Sequence, residues 1–127
     1  MNFDESPEFK KDVKALKKRV PTLEADLERV KARIESLYVL GDDMTEAELV
    51  EFRAQFFSGK VATVLFESMD GVEVVKIRLD SDTDQYRNKL RLVFTAVKRK
   101  DSVLFVELFS KNDKDREDPR RYRGLTS

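Results

Sequence analysis

Lys76-Ile77-Arg78-Leu79, Lys89-Leu90-Arg91-Leu92-Val93-Phe94 and Val103-Leu104-Phe105-Val106-Glu107-Leu108-Phe109 are three β-like segments in the second half of a 127-residue chain. Side chains along a strand alternate between two faces, so Lys76 and Arg78 leave on the side opposite Ile77 and Leu79. Lys89 and Arg91 repeat that relation opposite Leu90 and Leu92. If the polar loop between the first two segments pairs them antiparallel, four cations converge on one face of a sheet. Like charges directly across a sheet repel, so a polyanion that neutralises them is a physical reason to keep the cluster. The competing reading is an ordinary solvated sheet face on which Asp80, Asp82, Asp84 and Glu107 supply ion pairs.

Outward from that stretch, the pattern N-terminal to it is helical. Ser6-Pro7-Glu8 combines an N-cap residue, a proline at the first helical position and an acid in the first turn. Phe9, Val13, Leu16 and Val20 then recur at helical spacing, and Pro21 closes that helix and opens the next. The second helix has the apolar stripe Leu23, Leu27, Val30, Ile34 and Leu37, and so tight a turn predicts an antiparallel helical hairpin. After a loop at Gly41-Asp42-Asp43, Thr45-Glu46-Ala47-Glu48 has the form of a capping box. Leu49, Phe52, Phe56 and Phe57 give this third helix an apolar side, and Ser58-Gly59 ends it.

From Lys60 the period becomes that of strands. Segments at 61–67 and 72–79 flank Met69-Asp70-Gly71, a tight-turn signal, and residues 80–88 form the longest polar loop. Strands at 90–97 and 102–109 are joined by Lys98-Arg99-Lys100-Asp101, and Pro119 prevents a continuous helix in the charged tail. Residues 1–5 read either as an edge strand or as an unordered lead. The order implies one α+β domain over residues 1–127, with N-terminal helices packed on one face of an antiparallel β-sheet of about four strands.

Composition narrows the chemistry. The chain has no Cys and no His, which removes disulfides, thiol nucleophiles and the usual ligands of a structural zinc, so no metal and no cofactor are expected. Acid–base work near neutral pH falls to carboxylates, Lys or Tyr. Asp80-Ser81-Asp82-Thr83-Asp84 imitates the start of a calcium loop, but Gln85 and Arg91 stand where that loop needs Gly and Glu. No segment has the length of a membrane span or the pattern of a signal peptide, which with the missing Cys fits a cytoplasmic protein. The formal charge is zero, yet residues 1–75 hold 11 Lys/Arg against 16 Asp/Glu and residues 76–127 hold 14 against 9. A basic half allows a local phosphate-binding face. The tail adds Lys111, Lys114, Arg116, Arg120, Arg121 and Arg123 around Tyr122, a pattern suited to RNA, where a ring stacks on a base while guanidinium groups hold phosphates. The competing reading is a frayed, charged terminus interleaved with Asp113, Asp115, Glu117 and Asp118.

Ser6-Pro7-Glu8-Phe9-Lys10-Lys11-Asp12-Val13-Lys14-Ala15-Leu16 resembles the opening helix of the RelE/ParE toxin superfamily. Leu90-Arg91-Leu92-Val93-Phe94 is similar to that family's arginine-bearing strand, and Phe109-Ser110-Lys111-Asn112-Asp113-Lys114 to its last strand and the turn after it. The resemblance implies a RelE-like fold and a toxin of a type II toxin–antitoxin pair, of the branch that cuts mRNA on the ribosome and inhibits translation. It implies a cognate antitoxin covering the sheet's basic face or the helical groove, and the ribosome and mRNA as further partners. By position, Lys76, Arg78, Arg91 and Tyr122 match catalytic residues, while Lys89, Lys111, Asn112, Lys114, Arg120 and Arg121 are the expected RNA-binding set. Without His, a Lys or Tyr whose pKa is lowered by neighbouring cations would serve as the base. The alternatives are a ParE-like inhibitor that blocks DNA gyrase by contact and a catalytically silent relative.

Overall fold

A computed structural model describes residues 1–39, 43–58, 61–69, 71–97 and 102–123. Elements follow in the order β1 (Asn2–Glu5), α1 (Pro7–Lys17), α2 (Leu23–Val39), α3 (Glu46–Phe56), β2 (Ala62–Glu67), β3 (Val72–Leu79), β4 (Leu90–Val97), β5 (Ser102–Ser110) and the single helical turn α4 (Arg120–Arg123). The strands form one sheet in the order β1-β5-β4-β3-β2. The expected α+β class is observed, but the sheet has five strands and is mixed. The N-terminal lead is an edge strand that pairs parallel to β5, from Asn2 opposite Ser102 to Glu5 opposite Phe105. The expected loop at Gly41 and Asp42, the helix stop at Gly59, the turn residue Asp70 and the connector Lys98 to Asp101 lie outside the described residues.

The Ser6 cap is made as its residues predict. Its Oγ accepts from the Phe9 amide at 3.1 Å and donates to the Val106 carbonyl at 3.4 Å, so one hydroxyl both starts α1 and fastens it to β5. Replacing Ser6 by Ala is expected to cost about 1–2 kcal/mol in urea unfolding with an unchanged m value. At the start of α3, Thr45 and Glu48 form the reciprocal capping box. Gly71 has φ +84°, a conformation that favours glycine and lets the chain reverse between β2 and β3.

Helices α1 and α2 cover one face of the sheet. Phe9, Leu16, Val20, Leu23, Leu27, Val30 and Ile34 share a core with Val75, Ile77 and Leu79 of β3, Leu90, Leu92 and Phe94 of β4, and Phe105 of β5. Helix α3 is different: it has no buried residue, and Phe56 and Phe57 reach the core only partly. A buried ion pair ties it down instead. Glu73, fully buried on β3, accepts from Arg53 at 2.8 and 3.1 Å and from the Tyr38 hydroxyl at 2.6 Å. Burial, together with the Glu73 charge, pushes the Tyr38 hydroxyl well above the usual phenol range, so it stays a donor.

The opposite face carries a second, smaller core of Val74, Val93, Val106 and Phe109, joined by Leu65, Leu104 and Tyr122. The expectation of a polyanion platform across that whole face is corrected here. Its centre is apolar and lies under the C-terminal tail, which leaves basic character to one end of the sheet. The β4–β5 register slips between Val93 and Phe94, a β-bulge that the periodic sequence does not announce. Beyond the end of β1, the exposed edge of β5 is closed by side chains. Asp12 accepts from the Leu108 amide at 3.0 Å, and Arg121 donates to the Val106 carbonyl at 3.4 Å. Polar groups on the free edge of a strand are thereby paired instead of being left for another chain.

Candidate nucleic-acid interface

The site begins with strand register. In the β3–β4 ladder Arg78 stands directly opposite Arg91, and Lys76 stands opposite Val93. Since Val75, Ile77, Leu79, Leu90 and Leu92 all point to the helices, Lys76, Arg78 and Arg91 share the other face. Three of the four expected catalytic residues therefore leave neighbouring strands in one direction.

Their electrostatic states differ. Lys76 donates to the Glu117 carboxylate at 2.9 Å, with both side chains largely covered. Arg78 makes a 3.1 Å contact from its Nε to Asp80. Arg91 donates to the carbonyls of Asn88 (2.9 Å) and Leu90 (3.0 Å) and has no ion pair among the described residues. Burial first, and the adjoining Arg78 charge second, lower the guanidinium pKa of Arg91 from its ordinary value, with Asp80 partly opposing them. Arg91 remains charged at any ordinary pH.

β4 starts at Leu90 as its sequence predicts, so Lys89 immediately precedes the strand and does not lie on it beside Arg91, a correction to that expected pairing. The Lys111 amide donates to the Lys89 carbonyl at 2.7 Å, so the two lysines meet at the same end of the sheet as Arg78 and Arg91. Lys89 is exposed, and the Lys111 ammonium reaches the Asp115 carbonyl at 2.6 Å. These four cations form a basic corner.

The remaining expected RNA contacts are engaged within the molecule. Lys114 bonds the buried Glu107 and lies over the Phe109 ring at 5.1 Å. Arg120 pairs with Asp118 at 3.1 Å. Arg121 grips Asp12 at 2.5 and 3.2 Å and Glu8 at 3.1 Å, and those bonds, against the effect of its burial, raise its pKa above the ordinary value. Asn112 is exposed, its amide bonded to the Ser110 hydroxyl at 3.1 Å. Lys114 and Arg121 thus fasten the tail to β5 and α1, while the exposed Arg120 pairs within the tail.

Tyr122 packs on the second core. The expectation that neighbouring cations lower its pKa is corrected by its surroundings. Burial, and next the charge of Glu117, raise the phenol above its ordinary value, and Arg123 opposes them only in part. At neutral pH Tyr122 is a proton donor.

Glu117 is the site residue that the sequence pattern does not single out. Burial alone would push its carboxyl up, but the hydrogen bond from Lys76, its own backbone amide and the charges of Lys76 and Arg116 bring it below the usual carboxylate range. It is the anion seated on the expected catalytic lysine. The only signal in the sequence is weak, one acid in a tail that also carries Asp113, Asp115 and Asp118.

Among the described residues no group of His, Cys, Asp or Glu could hold a metal ion, and no helix is long and apolar enough to cross a membrane. Comparison with protein-family models, curated proteins and solved structures finds no match to this chain.

Proposed function

We propose that this chain is a RelE-like mRNA endonuclease toxin that acts with the ribosome and is neutralised by a cognate antitoxin, and that the scissile phosphate sits at the basic corner of the sheet. The observation that carries this reading is the direct cross-strand pairing of Arg78 with Arg91, the latter half-buried and without a carboxylate partner among the described residues. Two guanidinium groups in register cost stability unless something negative joins them. A phosphodiester does so with bidentate geometry.

The proposed division of labour follows from protonation. Arg78 and Arg91 stabilise the charge that develops on the phosphorane. Lys76, which pairs with Glu117 in the free chain, is a proton donor for the leaving 5′-oxygen. Tyr122, its pKa raised, cannot be the group that deprotonates the 2′-hydroxyl at neutral pH. That proton falls to a group outside this face, which agrees with a nuclease dependent on the ribosome for positioning and for part of its chemistry.

The same shortage of a base favours a second reading. A ParE-like inhibitor of DNA gyrase, or a silent relative, binds without cleaving and needs no proton acceptor. Induction of the chain in bacteria, followed by mapping of mRNA 5′ ends, separates the three. The nuclease gives codon-phased cleavage, reduced at least about 100-fold in Arg91→Ala by loss of a charge-stabilising donor. DNA-damage signalling with intact mRNA moves the case to gyrase, and undisturbed growth to the silent relative.

A further inference from the structure

We propose that residues 111–123 form a strap, which places the Glu117 carboxylate on Lys76 and which a polyanion must displace to occupy the full basic face. The inference rests on the reading of that face as a phosphate site, and adds the regulation of the site to it.

The strap is built from contacts of two kinds. At its ends it is anchored: Arg19 holds Asp113 at 2.8 and 3.2 Å, and Arg121 holds Asp12. Between the anchors, Glu117 reaches inward to Lys76 while the Asp118 amide donates to the buried Glu107 at 2.8 Å. Lys76 is two residues along β3 from Arg78, so a phosphate chain that starts on the Arg78–Arg91 pair and runs along the strand meets Glu117 next. A carboxylate and a phosphodiester are alternative anions for one ammonium group. The Arg19–Asp113 pair is half exposed at both side chains, so salt and solvent keep that anchor weak. The covered Lys76–Glu117 contact is the stronger and the more selective latch.

Binding of a fluorescent single-stranded RNA at low salt tests this in wild type, Glu117→Gln and Arg91→Ala, with amide hydrogen exchange of residues 111–123 as a second readout. Glu117→Gln preserves shape and removes the competing charge, so it is expected to bind roughly 5- to 10-fold more tightly. Its strap amides should exchange faster without RNA, and in wild type RNA should produce the same acceleration. Wild-type binding that Arg91→Ala abolishes, but Glu117→Gln leaves unchanged or weakens, overturns the strap and leaves the phosphate site standing. Absence of binding in both wild type and Glu117→Gln overturns the phosphate site, and the strap's role with it. Unaltered strap exchange in RNA-bound wild type also overturns the strap.

Discussion

Arg53→Ala is expected to lower the stability of the chain by about 3–5 kcal/mol, well beyond the cost of losing a helix cap. The reason lies in what the substitution leaves behind. Glu73 is fully buried on β3, and after the loss of Arg53 its carboxylate keeps only the Tyr38 hydroxyl. A buried charge with one hydrogen bond does not recover its desolvation cost. The converse substitution is milder, because Arg53 is about a quarter exposed and can turn to water when Glu73 is removed. Glu73→Gln in the Arg53→Ala background should therefore regain most of the loss, since the amide oxygen still accepts from Tyr38. Urea unfolding of the four proteins closes the cycle. Equal losses for Arg53→Ala alone and for the double variant would show that the charge is not what costs. Because α3 buries no residue of its own, hydrogen exchange in Arg53→Ala should rise first within Glu46–Phe56.

That latch also marks the limit of what a sequence conveys. Helix starts are legible because caps act within four residues, and Ser6 and Thr45 both form the bonds their neighbours predict. The pairing of β3 with β4 is legible because a single polar loop joins two segments adjacent in sequence, which is why Arg78 and Arg91 meet as expected. The parallel pairing of β1 with β5 joins residues roughly a hundred positions apart, and no local periodicity records it. The run from Leu90 to Val97 holds one more clue, since apart from Arg91 it lacks the polar alternation of a half-exposed strand. That pattern matches its burial on both faces, under the helices and under the tail, and contradicts a sheet face left wholly to polyanion. Buried carboxylates are hardest to find. With 39% charged residues, Asp26, Glu73 and Glu107 look like any surface acid, and only the fold identifies the donors that surround them. The candidate site is half hidden for the same reason. Its cations are visible in the sequence, but the acids engaging Lys76, Lys114 and Arg121 carry no mark that separates them from solvated ones.

Asp26→Ala tests how the fold presents that site, with an expected loss of about 2–4 kcal/mol. Asp26, fully buried near the start of α2, accepts from the Thr22 hydroxyl at 2.8 Å, the Ser81 hydroxyl at 2.7 Å, the Asp82 amide at 3.1 Å and Arg29 at 2.9 Å. One carboxylate thus pins the loop between β3 and β4 to a helix on the other side of the sheet. Its removal strips the Asp82 amide of its acceptor, whereas Thr22 retains Thr83 at 2.8 Å. Asp26→Asn should lose only about 1–2 kcal/mol, because its oxygen still faces the amide and the two hydroxyls can rotate to accept from its NH₂. The functional consequence runs through the same loop. It supplies Asp80, the partner of Arg78, and the Asn88 carbonyl that holds Arg91. Once the loop is released, the two guanidinium groups are no longer fixed in register, and RNA affinity measured on fully folded protein should fall with stability, more in Asp26→Ala than in Asp26→Asn. Affinity unchanged in a destabilised Asp26→Ala would mean that the ladder alone positions Arg78 and Arg91, and that the loop contributes only to folding.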